Sequence, residues 1–226
     1  MANTMSPKKK RERSERMKKM LRVLKKLYPD LQTELNYSTN WELLVAVILS
    51  AQCTDKRVNE VTKTLFKKYR KLDDYVHASL REFEQDIKPT GFYRNKAKNI
   101  LAAAKVIKND FGGRIPNTME EMLTIPGVAR KTANVVLGEA HGIYEGIAVD
   151  THVRRLALKY DLTSHKDPVK IERDLMEIIP KKDWKYVNHA LVMFGRYICT
   201  AHKHDCTEHP LTVIYPKAAH IWPKSK

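Results

Sequence analysis

The sequence predicts an all-α fold. Apolar residues recur at helical spacing in each segment long enough to show a period, and no segment alternates apolar and polar residues as a half-buried strand would. Several of these segments open on the Thr/Ser-x-x-Glu pattern that caps helix starts. There is no internal repeat and no long flexible linker.

The elements follow in order. From Pro7 to Lys26 the chain is crowded with Lys and Arg, while Met17, Met20, Leu21, Leu24 and Leu27 mark one apolar helix face that Pro29 ends. The residues before it are expected to be loose, and the basic stretch suits either attraction to a polyanion or simple solvation. Thr39 and Glu42 form a capping box ahead of Trp41 to Leu49, a run apolar nearly all round and therefore expected at the centre of the core. A buried strand would read similarly, but the cap and the flanking Trp41 and Gln52 favour a helix. Val58, Val61, Leu65 and Phe66 mark the next helix, closing near Tyr69. Ser79 and Glu82 predict a further box before Phe83 and Ile87, and Pro89-Thr90-Gly91 breaks that helix.

Ala97, Ile100, Leu101, Ala104 and Ile107 line another helix that stops at Gly112-Gly113. Thr118 and Glu121 cap a short helix ending near Ile125, and a second begins around Ala129 and ends at Gly142. After Asp150, Val153, Leu156, Ala157 and Tyr160 share a face; Asp167-Pro168 is a cap followed by proline at the first helical position. Ile171, Leu175 and Ile178, then Trp184, Val187, Leu191 and Phe194, define the last two helices.

Composition narrows the partners. The 226 residues suffice for one large domain or two small ones, and 42% hydrophobic content supports a real core. Lys and Arg number 42 against 26 Asp and Glu, a formal charge of +16, which favours nucleic acid ahead of an acidic membrane surface. No apolar run reaches membrane-spanning length and no signal peptide opens the chain. Three cysteines are no disulfide scaffold, so the expected compartment is the cytosol.

The most informative stretch is Ile125 to Ala133. Pro126-Gly127 turns the chain between two helices; Gly127 lets the backbone approach something outside, and the new helix start offers N–H groups to an anion such as a phosphate. Lys131, in the first turn, can place its amine beside whatever the hairpin holds. By spacing alone, a solvated lysine in an ordinary helical hairpin reads as well.

Pro126-Gly127-Val128, Arg130-Lys131-Thr132-Ala133-Asn134-Val135-Val136 and Ala148-Val149-Asp150-Thr151-His152-Val153 together resemble the endonuclease III family of DNA glycosylases, and the likeness runs from about Leu21 to Cys206. It implies a helix-hairpin-helix glycosylase fold with two helical domains flanking a DNA-binding cleft: residues 34–144, and residues 1–33 combined with 145–226. It implies a bifunctional glycosylase and AP lyase that excises oxidised pyrimidines such as thymine glycol and nicks the abasic site by β-elimination. The implied partner is duplex DNA carrying a damaged base or abasic site, met by a monomer in the cytoplasm, associated with the nucleoid. Two other readings stay open: the same fold acting on another lesion or mismatch, and a non-catalytic DNA-binding module. The absence of a further C-terminal domain argues mildly against an adenine-mismatch enzyme.

Residue by residue, Lys131 matches the family's Schiff-base nucleophile and Asp150 its catalytic aspartate, which also reads as an N-cap. The interval between them is about one residue longer here, in the His141-to-Gly146 loop. Gln52 matches the residue filling the hole left by a flipped nucleotide, with a buried helix-terminal glutamine as the plain alternative. Phe92 falls where the family places a wedge between bases, and a core phenylalanine is the alternative. Gly127, Val128, Arg130 and His152 are expected near phosphate; Arg154, Lys96 and Lys98 read only as generic backbone contacts. Carbonyls near Ile125 and Val128 suit a monovalent cation, which nothing in the sequence requires.

The resemblance breaks at the C-terminus. Family members carry C-x6-C-x2-C-x5-C around an iron–sulfur cluster; here Cys199 and Cys206 keep the first interval, and His209 and Tyr215 stand at the remaining positions. The expectation is no cofactor, with the tail held by packing of Ile198, Leu211, Ile214 and Trp222. Zinc at Cys199, His202, Cys206 and His209, with His204 a possible substitute, is the rival. Cys53 reads as a packed thiol.

Overall fold

The computed structural model describes residues 5–31 and 33–221. Among them are eleven α-helices and no strand: α1 (Pro7–Leu27), α2 (Asn40–Leu49), α3 (Asp55–Lys68), α4 (Leu72–Val76), α5 (Leu80–Asp86), α6 (Tyr93–Asp110), α7 (Met119–Thr124), α8 (Arg130–His141), α9 (Thr151–Lys159), α10 (Pro168–Ile178) and α11 (Trp184–Tyr197). The chain forms two compact units, Thr33–Glu145 and the combination of Met1–Gln32 with Gly146–Lys226. The expected loose start before Ala2-Asn3-Thr4 ends, and the expected packing of Trp222, lie outside the described residues.

In the unit Thr33–Glu145, α2 is the centre, as its sequence demands: Leu43 through Leu49 are all buried. Thr39 Oγ1 accepts from the Glu42 amide at 3.1 Å, while Glu42 returns the bond one residue further out, to the Ser38 amide at 2.6 Å. α2 packs against α3, α6 and α8. α6 buries Ala97, Ile100, Leu101, Ala104 and Ile107, the predicted face. Tyr69, Tyr75, Phe83 and Trp41 form an aromatic cluster with centroid spacings between 5.1 and 5.8 Å. Two expectations fail here. The Ser79 side chain does not cap α5; Glu82 instead reaches Lys68 at 2.7 Å. α4, too short to show a period, was not expected; Asp74 accepts from the Arg70 and Lys71 amides and fixes its start.

The other described unit is built from α1, α9, α10 and α11. Met17, Met20, Leu21 and Leu24 are buried, but Leu27 is exposed because the chain leaves the helix there. Within the basic helix α1, Arg13 is not solvated: it is 2% exposed, 2.8 Å from Asp161 and bonded to Ser164 at 2.7 Å. A buried guanidinium needs such partners, since an uncompensated buried charge costs several kcal/mol, about 3–5 when one partner is removed. Val153, Leu156, Ala157 and Tyr160 of the segment after Asp150 are fully buried, as are Val187, Leu191 and Phe194 of α11.

Candidate active site

Lys131 and Asp150 each sit at a helix start, in different units, and the two starts are built differently. The hairpin between α7 and α8 begins where Thr118 caps α7, its Oγ1 accepting from the Glu121 amide at 3.3 Å. The chain then turns through Gly127 at φ +81°, and the Val128 amide donates to the Ile125 carbonyl at 3.1 Å. A Cβ on Gly127 would lie 2.8 Å from Asn99 Cβ, so only glycine fits both the backbone angle and the space. Ile125 and Val128 are buried anchors, which leaves Gly127 at the surface.

α8 then starts at Ala129, a residue with no side chain able to cap it. Its first turn follows the exposed hairpin directly and carries the positive end of the helix dipole. Lys131 is exposed in that turn. The helix closes properly at its other end: Gly142, at φ +66°, and Ile143 donate to the Gly138 and Leu137 carbonyls. Tyr144 packs on Gly138, where a Cβ would come within 2.5 Å of its ring, and its hydroxyl donates to the Gly138 carbonyl at 2.8 Å.

Asp150 is the N-cap of α9, its Oδ1 accepting from the Val153 amide at 2.8 Å. The strand-like approach to it is pinned from α11: Asn188 Nδ2 donates to the Ala148 carbonyl at 2.5 Å. His152, one turn in, packs where Gly195 brings α11 close; a Cβ there would meet His152 Cβ at 2.9 Å. Burial is the main force lowering the His152 pKa, and Asp150 opposes it. Burial thus favours the neutral imidazole, the poorer ion-pair partner for a phosphate. Asn188 and Gly195 were not singled out in the sequence, where each is one small or polar residue inside an amphipathic helix.

Gln52 and Phe92 resolve against their plain alternatives. Both are exposed, Phe92 at 64%, and both hold left-handed backbone, at φ +54° and +48°. A non-glycine residue in that region is uncommon and is a feature of turns and functional loops. Lys96, expected to be a generic surface contact, is 5% exposed. Lys98 and Arg154 are exposed.

The C-terminal ligand set does not fit an iron–sulfur cluster. The chain holds three cysteines, and of the expected positions only Cys199 and Cys206 are thiols. Each has a cation against it: Lys159 Nζ donates to Cys206 Sγ at 3.1 Å, and Arg155 lies 3.8 Å from Cys199 Sγ. Tyr215 instead stacks under the Arg16 guanidinium at 4.2 Å. Nor does the set Cys199, His202, Cys206 and His209 come together. The ligand atoms brought within 4.8 Å of one another are those of Cys199, His204 and His209, three where a closed zinc site takes four. The tail is held otherwise, by Leu211 and by Arg155, which donates to the Gly195, Cys199 and Thr200 carbonyls at 2.9, 2.6 and 3.1 Å.

A hairpin glycine ahead of an uncapped helix start, with a lysine in its first turn, on an all-α chain this basic, gives a helix-hairpin-helix protein whose charge suits nucleic acid. Residues 45–181 match the model of the HhH-GPD superfamily of base excision DNA repair proteins. The chain is 49% identical over 206 residues to endonuclease III of Synechocystis sp., covering 91% of this chain and 94% of that one. It is 50% identical over 186 residues to endonuclease III of Bacillus subtilis, covering 82% and 84%. A non-covalent endonuclease III–DNA complex superposes with a TM-score of 0.86 at 42% identity, over 91% of this chain and 96% of that chain. The same figures hold for a trapped endonuclease III–DNA covalent intermediate. The chain belongs to the endonuclease III family.

Proposed function

We propose that Lys131 is the nucleophile and Asp150 the charged partner of a bifunctional DNA glycosylase and AP lyase. The observation that carries the reading is the character of the two helix starts: an exposed lysine on an uncapped one, and a carboxylate held rigid by capping the other. The substrate is duplex DNA, in keeping with the endonuclease III–DNA complex that the chain resembles, and oxidised pyrimidines are the lesions we propose for it. The place of action is the cytoplasm with its nucleoid; no described helix is long and apolar enough to cross a membrane.

The chemistry follows from the groups. The base first leaves the stack, because its sugar carbon is otherwise shielded. The neutral Lys131 amine adds to C1′ as the C1′–N bond breaks, and the base departs with the bonding electrons and a proton. The sugar ring opens to a protonated Schiff base on Lys131. That imine acidifies the C2′ hydrogen, so loss of this proton expels the 3′ phosphate and nicks the strand. Water then releases the sugar and restores the amine. Asp150, locked by the Val153 amide, offsets positive charge developing at the sugar and takes a proton from the lysine. The exposed hairpin and first turn of α8 bind a backbone phosphate through Gly127, Val128 and Arg130. Gln52 fills the vacated position opposite the orphaned base and Phe92 wedges the stack, with no part in bond breaking.

Incubation with thymine glycol duplex and borohydride tests the reading. A stable protein–DNA adduct that Lys131→Ala abolishes, with DNA binding kept, is the expected result. Trapping at the wild-type rate in that variant would remove Lys131 from the mechanism.

A further inference from the structure

Gln52 and Phe92 stand on two segments far apart in sequence, the turn after α2 and the turn before α6. Each holds its residue in left-handed backbone, which strained side chains keep only where surrounding structure overrides the local preference. The question is what holds both turns at once.

A single amine reaches both. Lys96 Nζ donates to the Leu49 carbonyl at 2.8 Å and to the Thr90 carbonyl at 2.8 Å. Leu49 is three residues before Gln52 and Thr90 two before Phe92. The Leu49 carbonyl is available because the chain turns at Gln52: the Cys53 amide donates to the Ser50 carbonyl instead of continuing the helix. At the other end the Lys96 amide donates to the Phe92 carbonyl at 3.2 Å, so one residue contacts both sides of the second turn. Thr90 is itself fixed, its hydroxyl donating to the Ile87 carbonyl at 2.8 Å.

The side chain is 5% exposed, and burial lowers its pKa below the usual lysine value. An ammonium withdrawn from water is costly unless its donors are used, and two carbonyls, one at the negative end of α2, take two of its three here. A lysine in this place is therefore doing something a smaller apolar residue packed on α6 would not.

We infer that Lys96 is a positioning residue that ties the Gln52 and Phe92 turns into one rigid unit, so that both enter the duplex together. The inference rests on the DNA-opening role proposed for those two residues. Lys96 touches no reacting atom; it acts through the backbone that aims them.

The test uses the full chain on thymine glycol duplex, with a fluorescent purine opposite the lesion to report unstacking. Lys96→Met keeps the unbranched chain, one atom shorter, and removes all side-chain donors. Lys96→Gln, whose shorter amide can satisfy one carbonyl and not both, serves if the first variant fails to fold. Gln52→Ala and Phe92→Ala are run beside them, and a preformed abasic site in an unpaired bubble supplies a substrate that needs no opening. The expected result is a loss of the unstacking signal and a fall of about tenfold or more in excision from paired duplex, the scale of losing hydrogen bonds to a charged donor. Cleavage of the bubble substrate should be little changed. Wild-type signal and excision in the Lys96 variants, while Gln52→Ala and Phe92→Ala lose both, would overturn the tie alone. Equal losses on paired and bubble substrates would reduce Lys96 to a general stabiliser and also overturn it. Unaffected Gln52→Ala and Phe92→Ala would instead bring down the opening role, and the inference with it.

Discussion

The starts of α8 and α9 solve the same problem in opposite ways. Every helix start leaves amides without an internal partner. At α9 the protein satisfies one itself, with Asp150 on the Val153 amide and Asn188 pinning the approach. At α8 it supplies Ala129, whose side chain makes no cap, after a glycine turn, the setting in which we propose that an outside phosphate binds. A catalytic carboxylate gains from being fixed before substrate arrives; a phosphate site has to be empty until then. The same element of secondary structure is thus closed where the group is the protein's own and open where it is the ligand's.

The comparison breaks first at Lys131. Lys131→Ala should remove strand nicking and borohydride trapping altogether, while thermal stability stays within about 0.5 kcal/mol, because an exposed first-turn lysine packs little. Single-turnover assays and a melting curve read both. Asp150 separates its two jobs by chemistry. Asp150→Asn keeps the cap and loses the charge, so excision should fall by about a hundredfold or more with the melting temperature held. Asp150→Ala should add a destabilisation of about 1 kcal/mol, seen by denaturant unfolding. Near-normal excision by the Asn variant would leave Asp150 as a cap only.

Smaller effects sharpen the contrast. Gly127→Ala should cost about 1–2 kcal/mol of stability through its positive φ, and weaken binding to undamaged duplex in a gel-shift titration. Asn188→Ala leaves the Ala148 carbonyl short of its donor and should cost about 1 kcal/mol, with turnover falling while duplex affinity holds. Affinity lost along with turnover would show that Asn188 serves more than the Asp150 approach. Elemental analysis is expected to return no stoichiometric iron or sulfide, since His209 and Tyr215 stand where two of the four thiolate ligands would be.

Helix positions were readable because they depend on local rules. Thr39, Thr118, Asp150 and Asp167 cap as their sequence contexts demand, and the buried faces of α2, α6 and α11 follow the apolar period. Lys131 and Asp150 were singled out by motif; the missing cap at Ala129 is a local feature, but the Asn188 bond that pins the approach to Asp150 is tertiary. Lys96 shows the limit. In Asn95-Lys96-Ala97-Lys98 the two lysines look alike, yet one is buried and the other exposed. Only the neighbouring turns, brought there by the fold, decide which amine has carbonyls to meet. Arg13 in a basic helix was hidden for the same reason: its partner Asp161 lies far along the chain.

The Arg155 anchor carries a consequence for durability. Its guanidinium holds the end of α11 and the start of the tail through three backbone carbonyls. None of these bonds contains a group that oxidants attack, and a guanidinium keeps its charge at any pH a cell reaches. A metal cluster in that place would be exposed to the very oxidants that damage bases. Here the joint is made by hydrogen bonds to backbone carbonyls, which form without any metal to acquire or to lose.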